Sequence, residues 1–182
     1  MVGLATRRKK AKNIRYLLLD VDGVLTDGAV YVNDYGVQHL GFCVYDGQGI
    51  RLLQQAGVGV GWISGRASQA TRHRAQELGV EAIHQGIADK LAVYERILLT
   101  HGLRDAEVAY VGDDLPDLPV LKRVGLSAAP SNAVASIRAA VDWVTSHAGG
   151  RGAVREVIDL LLSTGSRPSG LPRRPGTQKR PL

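Results

Sequence analysis

The sequence predicts an α/β fold in which a parallel sheet is covered by helices on both faces, and three observations predict it. Short apolar runs recur at 15–20, 58–63, 80–84, 107–111, 125–128 and 141–144. Segments with helical spacing lie between them, at 48–56, 67–79, 88–101, 116–123, 132–140 and 152–162. Several apolar runs stop abruptly at glycine, an acid or a hydroxyl, as buried parallel strands do where they deliver polar groups to a site. This alternation is the signature of βαβ units, and ligands of such sheets bind at the carboxyl ends of the strands.

Taken in order, residues 1–13 are basic and read as a disordered tail. The first apolar run, Arg15 to Asp20, follows. Residues 29–44 break the alternation: Val30 and Val32, then Asn33-Asp34-Tyr35-Gly36, then Val37, Leu40 and Phe42 read as two strands about a turn, a β-hairpin flap. One domain spans 14–162, and the Ser/Gly/Pro/Arg mixture of 163–182 reads as a second disordered tail.

The formal charge of +6 belongs to the ends: ten of the 23 Lys and Arg lie before residue 14 or after residue 162, and none of the 17 Asp and Glu does. The body is mildly acidic, so a nucleic-acid partner is not expected. Cys43, the single cysteine, excludes an internal disulfide and a cysteine-based zinc site, and fits a cytoplasmic protein. No run approaches the length of a membrane span. The five histidines lack metal-ligand spacing. Gly57-Val58-Gly59-Val60-Gly61 enters a strand instead of linking strand to helix, which argues against a dinucleotide loop.

The chemistry concentrates at run ends. In Asp20-Val21-Asp22-Gly23, two carboxylates stand two residues apart where Gly23 permits an immediate turn. Asp20 suits a nucleophile whose acyl phosphate water can hydrolyse, and Asp22 suits the general acid and base. The competing reading is a polar turn or a calcium-type loop. Gly112-Asp113-Asp114-Leu115-Pro116-Asp117 repeats the pattern. Carboxylates repel a phosphate dianion, so a cation is needed. Asp20, Asp113 and the backbone carbonyl of Asp22 would give Mg²⁺ the oxygen ligands it prefers, with helix capping by Asp114 or Asp117 as the alternative. Ser64 and the following amide of Gly65 would hold phosphoryl oxygens at a helix N-terminus, unless Ser64 is a plain N-cap. Lys90 begins a helical segment, where it would balance developing negative charge or be a surface lysine.

In this order, Asp20/Asp22, Ser64, Lys90 and Asp113/Asp114/Asp117 resemble the four motifs of the haloacid dehalogenase superfamily phosphatases, over residues 15–162. A narrower likeness, to members acting on sugar-acid phosphates, rests on Asp20 to Gly28, Asp46 to Ile50, Gln85-Gly86 with Asp89-Lys90, Gly112 to Asp117 and His147 to Glu156. Gln38 and Leu40 stand where such members often carry an acid and a lysine. The resemblance implies a Rossmann-like sheet with no separate cap domain and a Mg²⁺-dependent phosphomonoester hydrolase working through an aspartyl phosphate. It implies an eight-carbon sugar-acid phosphate as substrate, in lipopolysaccharide precursor synthesis. A nine-carbon sugar-acid phosphate, or a non-catalytic sugar-phosphate binding role, is the alternative. It further implies a homotetramer whose hairpins form a barrel and whose C-terminal segment covers a neighbouring site, so Gly149 to Arg155 is expected to reach an adjacent subunit. Arg66 and Arg151 are candidates for the substrate carboxylate, because guanidinium forks match carboxylates.

Overall fold

Tyr16–Leu19 form β1, a strand in which all four side chains are buried. A strand with neighbours on both edges and helices on both faces has no solvent side, which is why its sequence is continuously apolar. The computed structural model describes residues 1–165. Around β1 the chain adds, in order, α1 (Leu4–Ala11), β2 (Tyr31–Val32), β3 (Gln38–His39), α2 (Val44–Gln55), β4 (Gly59–Ile63), α3 (Gln69–Leu78), β5 (Ala82–His84) and α4 (Lys90–His101). There follow β6 (Val108–Val111), α5 (Leu118–Leu121), β7 (Leu126–Ala129), α6 (Ala135–Ala140), β8 (Trp143–Val144) and α7 (Ala153–Ser163).

All six expected sheet strands form, every pair parallel, in the order β5-β4-β1-β6-β7-β8. The chain leaves β1 toward β4 and β5, then returns to its other edge at β6. The carboxyl end of β1 is therefore a topological switch point, where α/β sheets open a crevice. Side chains alternate across the sheet: Leu17 and Leu19 join a core with Ile50 and Leu53 of α2 and with Val154, Val157, Ile158 and Leu161 of α7. Tyr16 and Leu18 face Val93 and Ile97 of α4, Val120 of α5 and Ile137 of α6. The α7 set falls at i, i+3, i+4 and i+7, one helical face, and full burial of each such side chain stabilises by about 1.5–3 kcal/mol.

The hairpin forms as expected, with Tyr31 opposite His39 and Val32 opposite Gln38, as an antiparallel pair apart from the main sheet. It is shorter than the range 29–44, because α2 already begins at Val44. The helix expected over 116–123 is a 3₁₀ turn followed by one short α-helical turn. Pro116 and Pro119 lack the N–H groups that a continuous helix requires.

The N-terminal expectation is corrected. Residues 4–11 are helical instead of disordered. Ala11 is buried, Lys10 Nζ lies 2.6 Å from Asp142 Oδ2, and the Arg7 guanidinium stacks 4.8 Å from the Trp143 ring. Cations normally signal a solvated tail, but here two of them find specific partners beside β8. The C-terminal tail expectation lies, from residue 166 onward, outside the described residues. Deleting residues 1–10 is expected to lower the melting temperature by roughly 2–8 °C, the range that about 1–2 kcal/mol produces in a chain of this size. Differential scanning calorimetry checks this, and a solvated tail would give no shift.

Candidate active site

The backbone brings the expected acids together. The Asp20 amide donates to the Val111 carbonyl at 3.0 Å, so the residue after β1 stays in register with β6. The chain then turns at Gly23, whose φ of 85° lies in the left-handed region. A second constraint excludes a side chain there, since a Cβ would sit 2.1 Å from Asp113 Oδ2. Thr26 Oγ1 accepts from the amides of Gly23 and Gly28 at 3.2 and 3.3 Å and closes the loop.

Carboxylate oxygens of Asp20, Asp113 and Asp117 lie within 4.8 Å of one another. Lys90, at the first position of α4 and 4% exposed, reaches into this group, with Nζ 2.8 Å from Asp20 Oδ1 and 2.6 Å from Asp117 Oδ1. That burial removes the surface reading of Lys90. Asp117 is fully occupied: Oδ1 accepts from Lys90 and from the Tyr110 hydroxyl at 2.6 Å, and Oδ2 from the amides of Asp113 and Asp114 at 3.0 and 3.3 Å. Four donors exhaust the acceptor sites of a carboxylate, so Asp117 organises the loop and keeps no acceptor site free for an ion.

One ammonium does not balance three carboxylates. Burial, then the charge of Asp117, pushes the Asp20 carboxyl well above its usual range against the opposing pull of Lys90. The same two causes raise Asp113 to about 6. Asp113 Oδ1 is buried and has no hydrogen-bond partner among the described residues. Two desolvated carboxylates, one with an orphaned oxygen, fit a hard divalent cation with oxygen ligands. The Asp22 carboxylate stands outside this group, so its expected contribution to a metal is through the backbone carbonyl.

One expectation is corrected. Ser64 does follow β4, but α3 begins only at Gln69 with Ser68 at the N-cap position. Ser64 is thus neither an N-cap nor at a helix N-terminus. Its hydroxyl bridges the Arg66 carbonyl and amide at 2.9 and 3.1 Å, forming a loop beside Gly65. Both candidate arginines have partners within the protein. Arg66 Nη1 is 3.2 Å from Asp22 Oδ1 and Nη2 is 2.8 Å from Gln38 Oε1 of β3, while Arg151 is largely exposed, 3.7 Å from Asp27 Oδ2. Gly149 to Arg155 makes contacts within its own chain. The Gly150 amide donates to the Val24 carbonyl at 3.0 Å, and a Cβ on Gly149 would meet the Gly23 carbonyl oxygen at 1.8 Å. Buried Asp46 accepts from the amides of Gly152 and Arg155 at 3.3 and 2.7 Å and anchors the segment.

The residues 62–158 match the family model for haloacid dehalogenase-like hydrolases. The chain belongs to the haloacid dehalogenase-like hydrolases. That span includes Ser64, Lys90 and Asp113, while Asp20 and Asp22 precede it. The chain is 46% identical over 153 residues to 3-deoxy-D-manno-octulosonate 8-phosphate phosphatase of Escherichia coli K12, covering 84% of this chain and 81% of that one. A hydrolase structure from Legionella pneumophila superposes with TM-score 0.88 at 43% identity, covering 89% of each chain. The Moraxella catarrhalis 3-deoxy-D-manno-octulosonate 8-phosphate phosphatase, whose structure is in complex with magnesium, phosphate and KDO, gives TM-score 0.87 at 38% identity, covering 89% of this chain and 93% of that one.

The raised carboxyl of Asp113 sets a pH dependence. Its folded value of about 6 exceeds the ordinary 3.8, so the ion-free folded site prefers the proton. This group's stabilising contribution is full below about pH 4 and is lost as pH rises through about 6. A divalent cation needs the ionised form. The melting-temperature increase on adding the cation is therefore expected to be larger at about pH 7.5 than at about pH 5, as thermal melts at both pH values would show.

Proposed function

We propose that this chain is a Mg²⁺-dependent phosphatase that releases phosphate from 3-deoxy-D-manno-octulosonate 8-phosphate. The observation that carries the reading is the pair of desolvated carboxylates, Asp20 and Asp113, meeting at the switch point with Lys90 beside them. The identity to phosphatases of that substrate supports it. Asp20, Asp113 and the Asp22 carbonyl would hold Mg²⁺, which supplies the positive charge that lets a carboxylate approach a phosphate dianion.

In this reading Asp20 attacks phosphorus in line, forming an aspartyl phosphate as the bond to the sugar oxygen breaks. Asp22 gives its proton to that departing alkoxide. Asp22 then takes a proton from water, which attacks the acyl phosphate, releases inorganic phosphate and restores Asp20. Ser64 and the Gly65 amide orient the phosphoryl oxygens, and Lys90 balances their charge. Arg66 is held on Asp22 and Gln38; a substrate carboxylate that draws the guanidinium away would free Asp22 for proton transfer. Arg151, exposed above Asp27, is the second candidate for that carboxylate.

The assembly belongs to the same proposal. Tyr31, Val32, Tyr35 and Val37 of the hairpin region are exposed, and a lone two-stranded hairpin is marginal in water. Packing of four hairpins in a homotetramer would cover them, and the segment Gly149 to Arg155 would reach a neighbour's site. No described helix is long and apolar enough to cross a membrane, and a lone cysteine supports a place in the reducing cytoplasm.

A phosphate-release panel of eight- and nine-carbon sugar-acid phosphates, with and without Mg²⁺, is expected to show turnover of the eight-carbon ester only with the metal. Asp20→Asn should abolish it, and Asp22→Asn should lower kcat by roughly 10²–10⁴-fold. Turnover by Asp20→Asn at the wild-type rate would sink the mechanism. Light scattering should give a tetramer, and serine at positions 31, 32, 35 and 37 a smaller species.

A further inference from the structure

Tyr110 lies in β6 on the face opposite Ala109 and Val111, and is wholly buried. A phenol taken out of water needs a partner that a phenylalanine would not. The partner here is Asp117 Oδ1, 2.6 Å away, and that same oxygen accepts from Lys90 Nζ at 2.6 Å. Lys90 Nζ in turn stands 2.8 Å from Asp20 Oδ1. We infer that Tyr110 is a positioning residue for phosphoryl transfer: its hydroxyl holds Asp117 so that Lys90 is shared with Asp20 instead of being drawn onto Asp117 alone. The inference rests on the hydrolase reading and deepens it.

The geometry supplies the reason. Asp117 Oδ2 is fixed by two amides, so the carboxylate cannot rotate away, and Oδ1 faces two donors at once. The hydroxyl draws off part of the negative charge on Oδ1 and weakens that oxygen's attraction for the ammonium. Burial, then the charges of Asp117 and Asp20, pushes the phenol up, so it remains a donor while the site is ionised. Without the hydroxyl, Oδ1 would keep one donor. The ammonium would then settle toward Asp117 and away from the oxygen that attacks phosphorus. That loss falls on the chemical step and not on substrate affinity.

Tyr94 provides an internal control. It belongs to the same core, is as fully buried, and donates to Asp105 Oδ1 at 2.6 Å, but Asp105 pairs with Arg123 and not with Lys90. The test compares Tyr110→Phe with Tyr94→Phe in the full chain with Mg²⁺, using the eight-carbon sugar-acid phosphate and p-nitrophenyl phosphate, with melts confirming that each variant is folded. Tyr110→Phe is expected to lower kcat about tenfold, the scale of a hydrogen bond to a charged group, with KM within about twofold. Tyr94→Phe should leave kcat within about twofold even where it lowers the melting temperature equally. In an Asp117→Asn background, Tyr110→Phe should cost less than about twofold further, because the charge through which it acts is gone. An unchanged kcat, an equal fall in both tyrosine variants, or a full further loss in that background would overturn the inference alone. A wild-type protein inactive on every phosphate ester would overturn the hydrolase reading and this inference with it.

Discussion

Three carboxylates share a largely buried crevice with one ammonium, and that excess of negative charge is the constraint on which the rest of the site depends. At about 4 Å, two like charges near a protein surface repel by roughly 4 kcal/mol, so the group persists only where the surroundings compensate. Asp117 is compensated within the protein by four donors, one of them the ammonium. Asp20 only shares that ammonium, and its raised carboxyl, that of Asp113 and the orphaned Oδ1 of Asp113 mark where a cation belongs. The parallel sheet makes the group possible because β1 and β6 are adjacent and end side by side. Each then delivers its acid to the same edge.

Close backbone approach completes the arrangement. Gly23 leaves room for the Asp113 carboxylate, and Gly149 lies against the Gly23 carbonyl. The segment before α7 is thus a buttress for the loop that carries Asp20 and Asp22. It is tied from its other side by Asp46, a carboxylate that α2 lends to the N-terminus of a helix more than a hundred residues away. Substituting a side chain at either glycine displaces backbone, which is the costliest kind of adjustment.

Much of this was legible in the sequence because it follows from short-range rules. Apolar runs ending in Asp20, Ser64 and Asp113 marked three strand ends, and the four motifs in order marked the acids and Lys90. The illegible parts depend on partners distant in the chain. Tyr110 sits within an apolar run and reads as core, since nothing nearby shows that its hydroxyl meets Asp117. Asp46 was visible only as part of a family likeness. Helix α1 was hidden because Arg7 and Lys10 carry the charge of a solvated tail while making contacts with Trp143 and Asp142. Arg66 matched a carboxylate by chemistry, but its pairing with Asp22 joins residues 44 apart in the chain, which no local pattern marks.

One guanidinium therefore spans a hairpin residue, Gln38, and the acid assigned to proton transfer. Whatever changes the charge on that acid changes the hold on the hairpin, and by thermodynamic reciprocity whatever fixes the hairpin biases the acid. The hold on the hairpin and the ionisation of Asp22 therefore draw on a single free-energy balance that passes through Arg66.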